Sequence, residues 1–528
     1  MNKILFRALI ASIALGAIIG CASLGGGQRV ADPAGRFSFR VSPELTPQEE
    51  RNGFYHYRLE ARGIDVYVTA VPAGTEEEGV EKTLRSTGAD PASLVLDGST
   101  AFGDWQAKRL ADRGRDRVVA IAYQMRGGTL YSLVAAAGAS AMPGDPPGSV
   151  MGILGSFQFS EAGGGAAVPA TRDGLEVLVR GEAEKGGGSI SVAAIRDGRI
   201  IYRYSAGTSR QGEPASPGAA YHWGSMTKVV TAVAVMQLVE RGLVGLDSPI
   251  ARYLPEVPER FGITVRNLLN HSSGLPERES THLVSYRGRA LPSLEAIFSD
   301  YLAHLDRLSF KPGTECEYSN WNYLALGVLI ERLTGKPYAS SVAETVLGPS
   351  GMDHTAFRHD ELPPETPLAS PVISSQAEPA LLIVLNENRP ASDGEVIIEG
   401  RSGGRTFLTD FDILAPWGGL MGPADDAARF LWTNMDERTA RARWGLSPST
   451  LKAMQRMQRA PDGRPFDRGL GWVLRQEKGE EVLEHGGGGP GINTLMRLYP
   501  KRRLGIVVMG NINDYGVARI LSAAAGIL

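Results

Sequence analysis

Three short groups of residues carry side chains that could together transfer an acyl group. The first group contains Ser225 and Lys228, the second contains Tyr318 and Asn320, and the third begins at His485. A serine hydroxyl becomes a nucleophile when a neighbouring group takes its proton, and lysine, tyrosine and histidine can each do so. The chemistry that these residues predict is attack of a serine on an ester or amide carbonyl.

The first group is predicted at the start of a helix. Ser225 follows a Trp-Gly pair and precedes an apolar segment that runs from Lys228 to the glycine at 242. At a helix N-terminus, unpaired N–H groups and the positive end of the dipole would stabilise an oxyanion on Ser225. Lys228 lies one turn later on the same face, and we expect the surrounding Val and Met side chains to lower its pKa by desolvation.

The second group is predicted on a loop that precedes another apolar helix. Residues 311–320 contain a Pro-Gly turn and then polar residues, and the apolar segment begins near Tyr323. A phenol at Tyr318, held near cationic groups, could ionise and take the serine proton. The amide of Asn320 could hydrogen bond to a substrate carbonyl.

The third group is predicted as strands around a glycine loop. An apolar run ends at His485, glycines fill most of residues 486–491, and two further apolar runs follow. Because Gly486, Gly487 and Gly488 lack side chains, a substrate could lie against the edge of the strand. The ring of His485 could donate to the tyrosine phenol or to a substrate carboxylate.

In this order and context the motifs resemble the serine β-lactamase and penicillin-binding protein superfamily, in the branch of class C β-lactamases, D-Ala-D-Ala carboxypeptidases and related esterases. The resemblance covers about residues 171–528, and residues 268–276 and 311–313 look like fixed turns of that family. It implies an α/β (α+β) fold of the β-lactamase/transpeptidase type, with an antiparallel sheet flanked by helices and a helical lobe. No metal or other cofactor is expected.

The resemblance also implies a role for each residue. Ser225 would be the acylated nucleophile, Lys228 its proton partner and Tyr318 the general base. Asn320 would contact a substrate amide, and the oxyanion hole would use the backbone N–H groups of Ser225 and Gly488.

One departure from the family bears on the substrate. His485, Gly486 and Gly487 stand where many class C β-lactamases carry Lys-Thr-Gly, and a neutral imidazole holds a carboxylate less firmly than lysine does. Efficient lactam hydrolysis is therefore not expected. The leading hypothesis is a serine hydrolase that cleaves a small ester, a peptidoglycan stem peptide or a β-lactam, and the alternative is a penicillin- or peptidoglycan-binding sensor that releases its acyl group slowly or never.

A competing motif is present at residues 400–404, which match G-x-S-x-G around Ser402. That motif needs a strand before the serine and a helix after it. A strand fits the preceding residues, but no helical pattern follows, so Ser402 is predicted to be a loop residue. His222 and His271 lie close to the other motifs, and we expect them to stabilise turns.

The N-terminus has the layout of a signal peptide over residues 1–20, with basic residues and then a short apolar run. Residues 18–21 look like a bacterial lipobox, which implies a lipid anchor on Cys21 and a periplasm-facing location, with the outer membrane favoured. An ordinary cleaved signal peptide is the alternative. Residues 21–29 would be a flexible tether, and Cys316 would then be unpaired, with a packing role.

The remaining sequence divides into two predicted domains. Alternating apolar residues indicate a small α+β domain of antiparallel strands at 30–161, faintly similar to the PsbP and Mog1 type, with a binding or spacer role. A linker at 162–170 precedes the hydrolase domain at 171–528, in which an Asp-Gly pair at 197 predicts a hairpin. The long aperiodic segment 364–412 is predicted to border the cleft and to help select the substrate.

Composition agrees with an enzyme of ordinary kind. The chain has 528 residues, of which 43% are hydrophobic and 21% are charged, which is ample material for more than one core. Its formal net charge of −3 gives no reason to expect nucleic acid as a partner. The expected partners are a small-molecule or peptidoglycan-derived substrate and a membrane, through the lipid at Cys21.

Overall fold

The computed structural model describes two compact units. The N-terminal unit comprises residues 28–138, with short gaps between elements, and residues 158–159; the C-terminal unit comprises residues 171–528, without 211–212, 278–292, 374–398, 402–403, 407–414, 478, 490 and 514. The predicted signal peptide, Cys21 and the linker at 162–170 lie outside the described residues, as does most of the segment 364–412.

The N-terminal unit consists of antiparallel strands and a helix. Its elements are β1 (Gln28–Ala31), β2 (Phe37–Val41), β3 (Thr46–Arg51), β4 (Phe54–Leu59), β5 (Ile64–Pro72), α1 (Glu76–Ser86), β6 (Val95–Phe102), β7 (Trp105–Asp112), β8 (Arg117–Arg126), β9 (Thr129–Gly138) and β10 (Gln158–Phe159). Seven strands form a sheet in the order β3-β4-β5-β9-β8-β7-β6, and three form a sheet in the order β1-β2-β10. The antiparallel strands predicted here from alternation are confirmed.

The predicted tether was wrong at its end. Gln28 pairs with Val41, so residues 28 and 29 already belong to strand β1 rather than to a flexible segment. The partner strand begins nine residues further along the chain, at Phe37, and composition alone does not show such pairing. The strands β6 and β7 were also not predicted, because their polar residues interrupt the alternation.

The C-terminal unit combines a second antiparallel sheet with helices. Its helices are α2 (Arg172–Gly186), α3 (Thr227–Glu240), α4 (Val265–Leu269), α5 (Leu294–Ala303), α6 (Asn320–Thr334), α7 (Tyr338–Val342), α8 (Gly348–Ser350), α9 (Ala424–Met435), α10 (Glu437–Trp444), α11 (Pro448–Gln455) and α12 (Val517–Ile527). A π-helical turn at Ala343–Leu347 and 3₁₀ turns supplement them, at Gly224–Met226, Ile250–Arg252, Glu259–Phe261, His359–Glu361 and Pro500–Arg502.

Seven strands of this unit form one sheet in the order β13-β12-β11-β22-β21-β20-β19. The strands of the C-terminal unit are β11 (Ser189–Arg196), β12 (Arg199–Arg210), β13 (Glu213–Pro214), β14 (Tyr221–His222), β15 (Val372–Ile373), β16 (Glu399–Arg401), β17 (Gly404–Thr406), β18 (Met421–Gly422), β19 (Val473–Glu477), β20 (Glu480–Gly489), β21 (Ile492–Tyr499) and β22 (Leu504–Gly510). Strand β22 lies between β11 and β21, so the start and the end of the unit meet in one sheet, as predicted.

Both faces of this sheet are buried, because helices cover each of them. Val192 and Ala194 pack into a core with helices α2 and α12, whereas Ala193 and Ile195 point to the opposite face and pack into the larger core with helix α9. Successive side chains of a strand point to opposite faces, so a strand that is buried on both sides must be apolar throughout. This explains the continuous apolar run Val192–Ile195 within β11.

The hairpin predicted at the Asp-Gly pair is confirmed. Asp197 and Gly198 both have positive φ, 48° and 78°, between strands β11 and β12. Two successive residues of positive φ are the requirement of a type I′ turn, whose twist matches that of the strands it joins. Helix α2 ends, in the same way, at a left-handed glycine, Gly187.

The competing serine motif does not have the elements it needs. Strands β16 and β17, on either side of the motif, pair with each other, with Arg401 opposite Gly404. A nucleophile elbow requires a helix at the position of β17. Ser402 itself lies outside the described residues.

Among the helices that the structure describes, none has both the length and the apolar character needed to cross a bilayer. The described part of the chain likewise contains no group of three His, Cys, Asp or Glu side chains that could hold a metal ion.

Candidate active site

Ser225 lies on a tight turn at the start of a buried helix. The 3₁₀ turn Gly224–Met226 leads directly into helix α3, which confirms the predicted helix N-terminus. Helix α3 is apolar around nearly all of its circumference, and a helix of that kind is stable only where it is enclosed by protein. Ser225 is half-buried, whereas Gly224 and Met226 are buried, so the hydroxyl is the accessible part of a rigid turn.

Lys228 lies beneath Ser225 and is fully buried. Its Nζ is 3.2 Å from Oγ of Ser225, and it donates to Oδ1 of Asn320 at 2.7 Å and to the carbonyl of Trp417 at 2.9 Å. Burial holds the pKa of the Lys228 ammonium well below its usual range; Glu277 acts in the opposite direction and Arg468 in the same direction. Desolvation disfavours the charged form, so the geometry favours a neutral amine here.

A neutral amine at this position has a defined orientation. Two of its three contacts, the oxygen of Asn320 and the carbonyl of Trp417, can only accept hydrogen bonds. A neutral amine has two N–H groups and one lone pair, so both N–H groups are used by these acceptors. The lone pair of Lys228 is therefore left for the hydroxyl of Ser225.

Tyr318 contacts the same hydroxyl from the other side. Its phenol donates to Oγ of Ser225 at 2.7 Å, and Nζ of Lys228 lies 4.7 Å from the centre of its ring. Burial raises the pKa of Tyr318; the hydrogen bond to Ser225 and the nearby Arg468 lower it, and Glu277 adds to the rise. The net direction is upward, so the tyrosine is a neutral donor, and its expected ionisation is not favoured by this environment.

His271 holds Tyr318 in place. The two rings stack with centroids 4.5 Å apart, and Nδ1 of His271 accepts from the backbone N–H of Ser319 at 3.2 Å and from Nδ2 of Asn322 at 3.1 Å. Burial keeps the pKa of His271 well below its usual range, with Arg468 as a further cause. The neutral histidine thus stabilises the segment that carries Tyr318, in agreement with the turn-stabilising role expected for it.

The predicted glycine loop was wrong, because the glycines lie within strand β20. Residues 486–489 continue the strand and pair with β21, for example Gly487 with Thr494. A run of glycines is typical of a turn, but here long-range pairing determines the backbone. The three predicted glycines therefore line the edge of the site as an extended strand.

Gly487 is required by close packing against the serine turn. A methyl group there would overlap the carbonyl oxygen of Trp223 and Oγ1 of Thr494. At Gly486, by contrast, the nearest atom to such a methyl group is 3.5 Å away. On the other side of the contact, a Cβ at Gly224, which has a φ of 53°, would lie 3.0 Å from the backbone nitrogen of Gly488. The backbone of Gly488 is thus adjacent to the Ser225 turn.

His485 is buried beside these groups, and its ring proton is engaged in a hydrogen bond to the backbone. Its Nδ1 lies 2.8 Å from the carbonyl of Gly486, which can only accept, so Nδ1 carries the proton. Burial, and then the nearby Lys228, lower the pKa of His485 to about 3, so that the ring is neutral and its Nε2 is an acceptor. The expected donation from His485 to the tyrosine or to a substrate carboxylate does not fit this tautomer.

Asn320 is the first residue of helix α6, and both ends of its side chain are engaged. Its Oδ1 accepts from Lys228, and its Nδ2 donates to Oε1 of Glu277 at 2.9 Å. A contact from Asn320 to a substrate amide would have to replace one of these bonds. Glu277 was not predicted as a site residue, although it directly follows the family-like segment 268–276.

Two further groups of the site were not predicted from the sequence. The carbonyl of Trp417 is a backbone atom, and no residue type marks its role. Arg468 is buried, with its guanidinium carbon 5.7 Å from the centre of the Tyr318 ring, and its charge lowers the pKa of Lys228, His271 and His485. Arg468 follows no motif, and only the tertiary structure brings it to the site.

The chain was compared with known proteins. Residues 175–526 match the family model described as Beta-lactamase. Esterase EstB of Burkholderia gladioli is 31% identical over 306 residues, which cover 54% of this chain and 73% of the esterase. Penicillin-binding protein 4* of Bacillus subtilis (strain 168) is 27% identical over 347 residues, which cover 64% of this chain and 72% of that protein.

A solved structure shows the same fold. The D-amino acid amidase from Ochrobactrum anthropi SV3, complexed with L-phenylalanine amide, superposes with a TM-score of 0.53 at 23% identity, covering 66% of this chain and 98% of the amidase chain. The mixed α/β architecture, with its antiparallel sheet between helices, is that of these proteins. Since the family model matches about two thirds of the sequence, the chain belongs to the Beta-lactamase family.

Proposed function

We propose that the protein is a serine hydrolase that forms an acyl-enzyme on Ser225 and prefers esters or amides without a carboxylate next to the scissile bond. The observation that carries this proposal is the contact of one accessible hydroxyl with two proton-transfer groups, Nζ of Lys228 at 3.2 Å and the phenol of Tyr318 at 2.7 Å. These distances are within the range that general acid–base catalysis requires. The esterase and the penicillin-binding protein among the relatives support the same class of activity.

In acylation, Lys228 takes the proton of Ser225 while Oγ bonds to the substrate carbonyl carbon. The amine is suited to this step because burial leaves it neutral and its lone pair faces the hydroxyl. The oxyanion of the tetrahedral intermediate is assigned to the backbone N–H groups of Ser225 and Gly488, and the proximity of Gly488 to the serine turn supports this assignment.

In the collapse of the intermediate, the bond from the carbonyl carbon to the leaving group breaks and Tyr318 donates its proton to that group. The phenolate is then reprotonated through Lys228, which returns the amine to its neutral state. Tyr318 is thus proposed as the acid of this step, because its raised pKa makes the neutral phenol the resting form. In deacylation the steps run in reverse with water in place of the leaving group. Water bonds to the carbonyl carbon as its proton passes through Tyr318 to Lys228, and the Lys228 ammonium then returns a proton to Oγ of Ser225 as the bond from Oγ to the acyl carbon breaks.

The substrate preference follows from the charges at the site. A carboxylate next to the scissile bond needs a cationic partner, but Lys228 and His485 are neutral. Arg468 is only 3% exposed, so its guanidinium is not presented to a substrate carboxylate. Uncharged esters or amides therefore fit the site better than β-lactams or the carboxyl-terminated stem peptides of peptidoglycan.

The proposal is tested by mass spectrometry after treatment with a fluorophosphonate and by turnover of p-nitrophenyl esters. We expect one adduct on Ser225, and we expect Ser225→Ala to lose the adduct and at least about 10³-fold of the turnover. Tyr318→Phe should keep the adduct but lower turnover by about 10²-fold, the scale of a general acid or base. Adduct formation in Ser225→Ala contradicts the assignment, and labelling of the wild type without any turnover favours the slow-release sensor instead.

A further inference from the structure

The carboxylate of Glu277 forms a chain of contacts that ends at Lys228. Its Oε2 accepts from the backbone N–H of Asn320 at 2.6 Å, and its Oε1 accepts from Nδ2 of the same residue at 2.9 Å. Oδ1 of Asn320 in turn accepts from Nζ of Lys228 at 2.7 Å. A carboxylate, an amide and an amine are therefore linked in series next to the nucleophile.

The direction of these hydrogen bonds is set by valence. A carboxylate only accepts, so the amide nitrogen of Asn320 must face Glu277, and its oxygen must face Lys228. If the amide turned over, its N–H would compete for the lone pair of Lys228, which would then be unavailable to the serine. The orientation of one amide thus decides whether the amine can act as a base.

We propose that Glu277 is a positioning residue for the hydrolase: by fixing the amide of Asn320, it directs the lone pair of Lys228 at Ser225. This inference rests on the proposed function, since it concerns the base of that reaction. It assigns a role to a residue whose side chain acts through Asn320 rather than on the substrate.

Glu277 is itself held in a defined place. The preceding carbonyl, of Pro276, accepts from the hydroxyl of Tyr301 at 2.8 Å, and the ring of Tyr301 stacks on Trp321 with centroids 3.9 Å apart. Trp321 follows Asn320 in helix α6. The backbone that carries the carboxylate is therefore attached to the helix that carries the amide, which keeps the two in register.

The same carboxylate has an electrostatic effect that can be measured separately. Desolvation is the largest influence on the pKa of Glu277 and raises it, while the two donors from Asn320 lower it. The residue is nevertheless exposed, and both solvent and the two donors from Asn320 favour the anion. The anion raises the pKa of Lys228, so its removal lowers that pKa.

Other titratable groups surround the Lys228 amine and stay in place when Glu277 is changed. The titratable and charged groups that face the amine from the surrounding elements are Tyr318, Tyr323, His271, Arg468 and His485. A shift of the pH profile on substitution of Glu277 alone therefore reports its own charge.

The test compares Glu277→Gln with Asn320→Leu and with the double variant, all in the full chain. A glutamine can donate as well as accept, so it no longer fixes the amide. We expect Glu277→Gln to lower kcat for a p-nitrophenyl ester by about tenfold or more, less than the loss of a whole general base, with little change in KM. The acid limb of kcat/KM should move to lower pH, because the neutral amine then persists to lower pH.

A double-mutant cycle separates the effect that Glu277 exerts through the amide of Asn320 from any other effect of removing its carboxylate. In the Asn320→Leu background, where no amide can turn over, Glu277→Gln should change the rate of fluorophosphonate labelling by less than about twofold. Glu315→Gln is the matched control, since it removes an exposed carboxylate from the loop before Tyr318 without touching Asn320. It should leave kcat and the acid limb unchanged.

Two results overturn the inference while leaving the proposed function intact. One is a wild-type kcat in Glu277→Gln, and the other is an equal loss from this substitution with and without the amide of Asn320. If the wild type shows no Ser225-dependent labelling or turnover, the proposed function fails and this inference fails with it. Thermal unfolding of each variant shows whether a loss comes from the site or from the fold.

Discussion

At the scale of single residues, the charge of Arg468 contributes to the low pKa of Lys228, which burial chiefly causes. The guanidinium is buried next to Tyr318, and it disfavours a second positive charge on Lys228. We expect Arg468→Met to raise the pKa of Lys228, so the acid limb of kcat/KM moves to higher pH, opposite to the effect of Glu277→Gln. Initial rates from pH 4 to pH 9 measure this shift.

A charge-preserving variant separates this effect from loss of packing. Arg468→Lys keeps a cation at the same position and should retain the acid limb of the wild type, even if its stability falls. If both variants shift the acid limb of kcat/KM equally, the charge of Arg468 does not determine the pKa of Lys228.

The residues of the site were predictable to different degrees. Ser225, Lys228 and Tyr318 could be found because they occur in short motifs, and the structure brings them within hydrogen-bond distance. The proton positions could not be predicted, since the tautomer of His485 depends on a carbonyl and on burial. Glu277 has its role only through contact with a helix that begins far along the chain.

At the scale of secondary structure, the close packing of strand β20 against the turn that carries Ser225 requires a residue without a side chain at Gly487. A methyl group at Gly487 would overlap backbone and side-chain atoms that have no room to move, whereas Gly486 has space. We expect Gly487→Ala to reduce the free energy of unfolding by about 1–3 kcal/mol, the usual cost of overpacking, and to lower turnover. Gly486→Ala should leave the thermal unfolding midpoint within error or raise it slightly.

Differential scanning calorimetry of the two variants makes the comparison. Equal midpoints for Gly487→Ala and the wild type would show that the turn and the strand are not in the close contact described. The contact explains why a glycine run occurs inside a strand, where glycine is otherwise unfavourable. The glycine run was visible in the sequence. The sequence could not show whether it forms a loop or a strand, because the contact with Trp223 that requires glycine is made only in the folded structure.

At the scale of the whole molecule, the candidate site belongs to one of two units. Every residue of the site lies between positions 223 and 488, and the C-terminal unit has two apolar cores of its own. We expect residues 171–528 produced alone to fold and to keep kcat/KM for a p-nitrophenyl ester within about threefold of the full chain. An insoluble product would show that the fold of residues 171–528 depends on the rest of the chain, and a loss above about threefold in a folded product would contradict the assignment of the site to this unit alone.

The position of strand β22 has a consequence for the synthesis of the protein. Of the strands that the structure describes, β22 comes last in sequence, yet it forms the middle of the sheet, between β11 and β21. Nascent chains emerge N-terminus first, so the edge of β11 that pairs with β22 stays uncovered until residues 504–510 have left the ribosome. A chain that terminates before residue 504 would lose a central strand rather than an edge strand, and such a fragment should be degraded or aggregate rather than persist as a partly active enzyme.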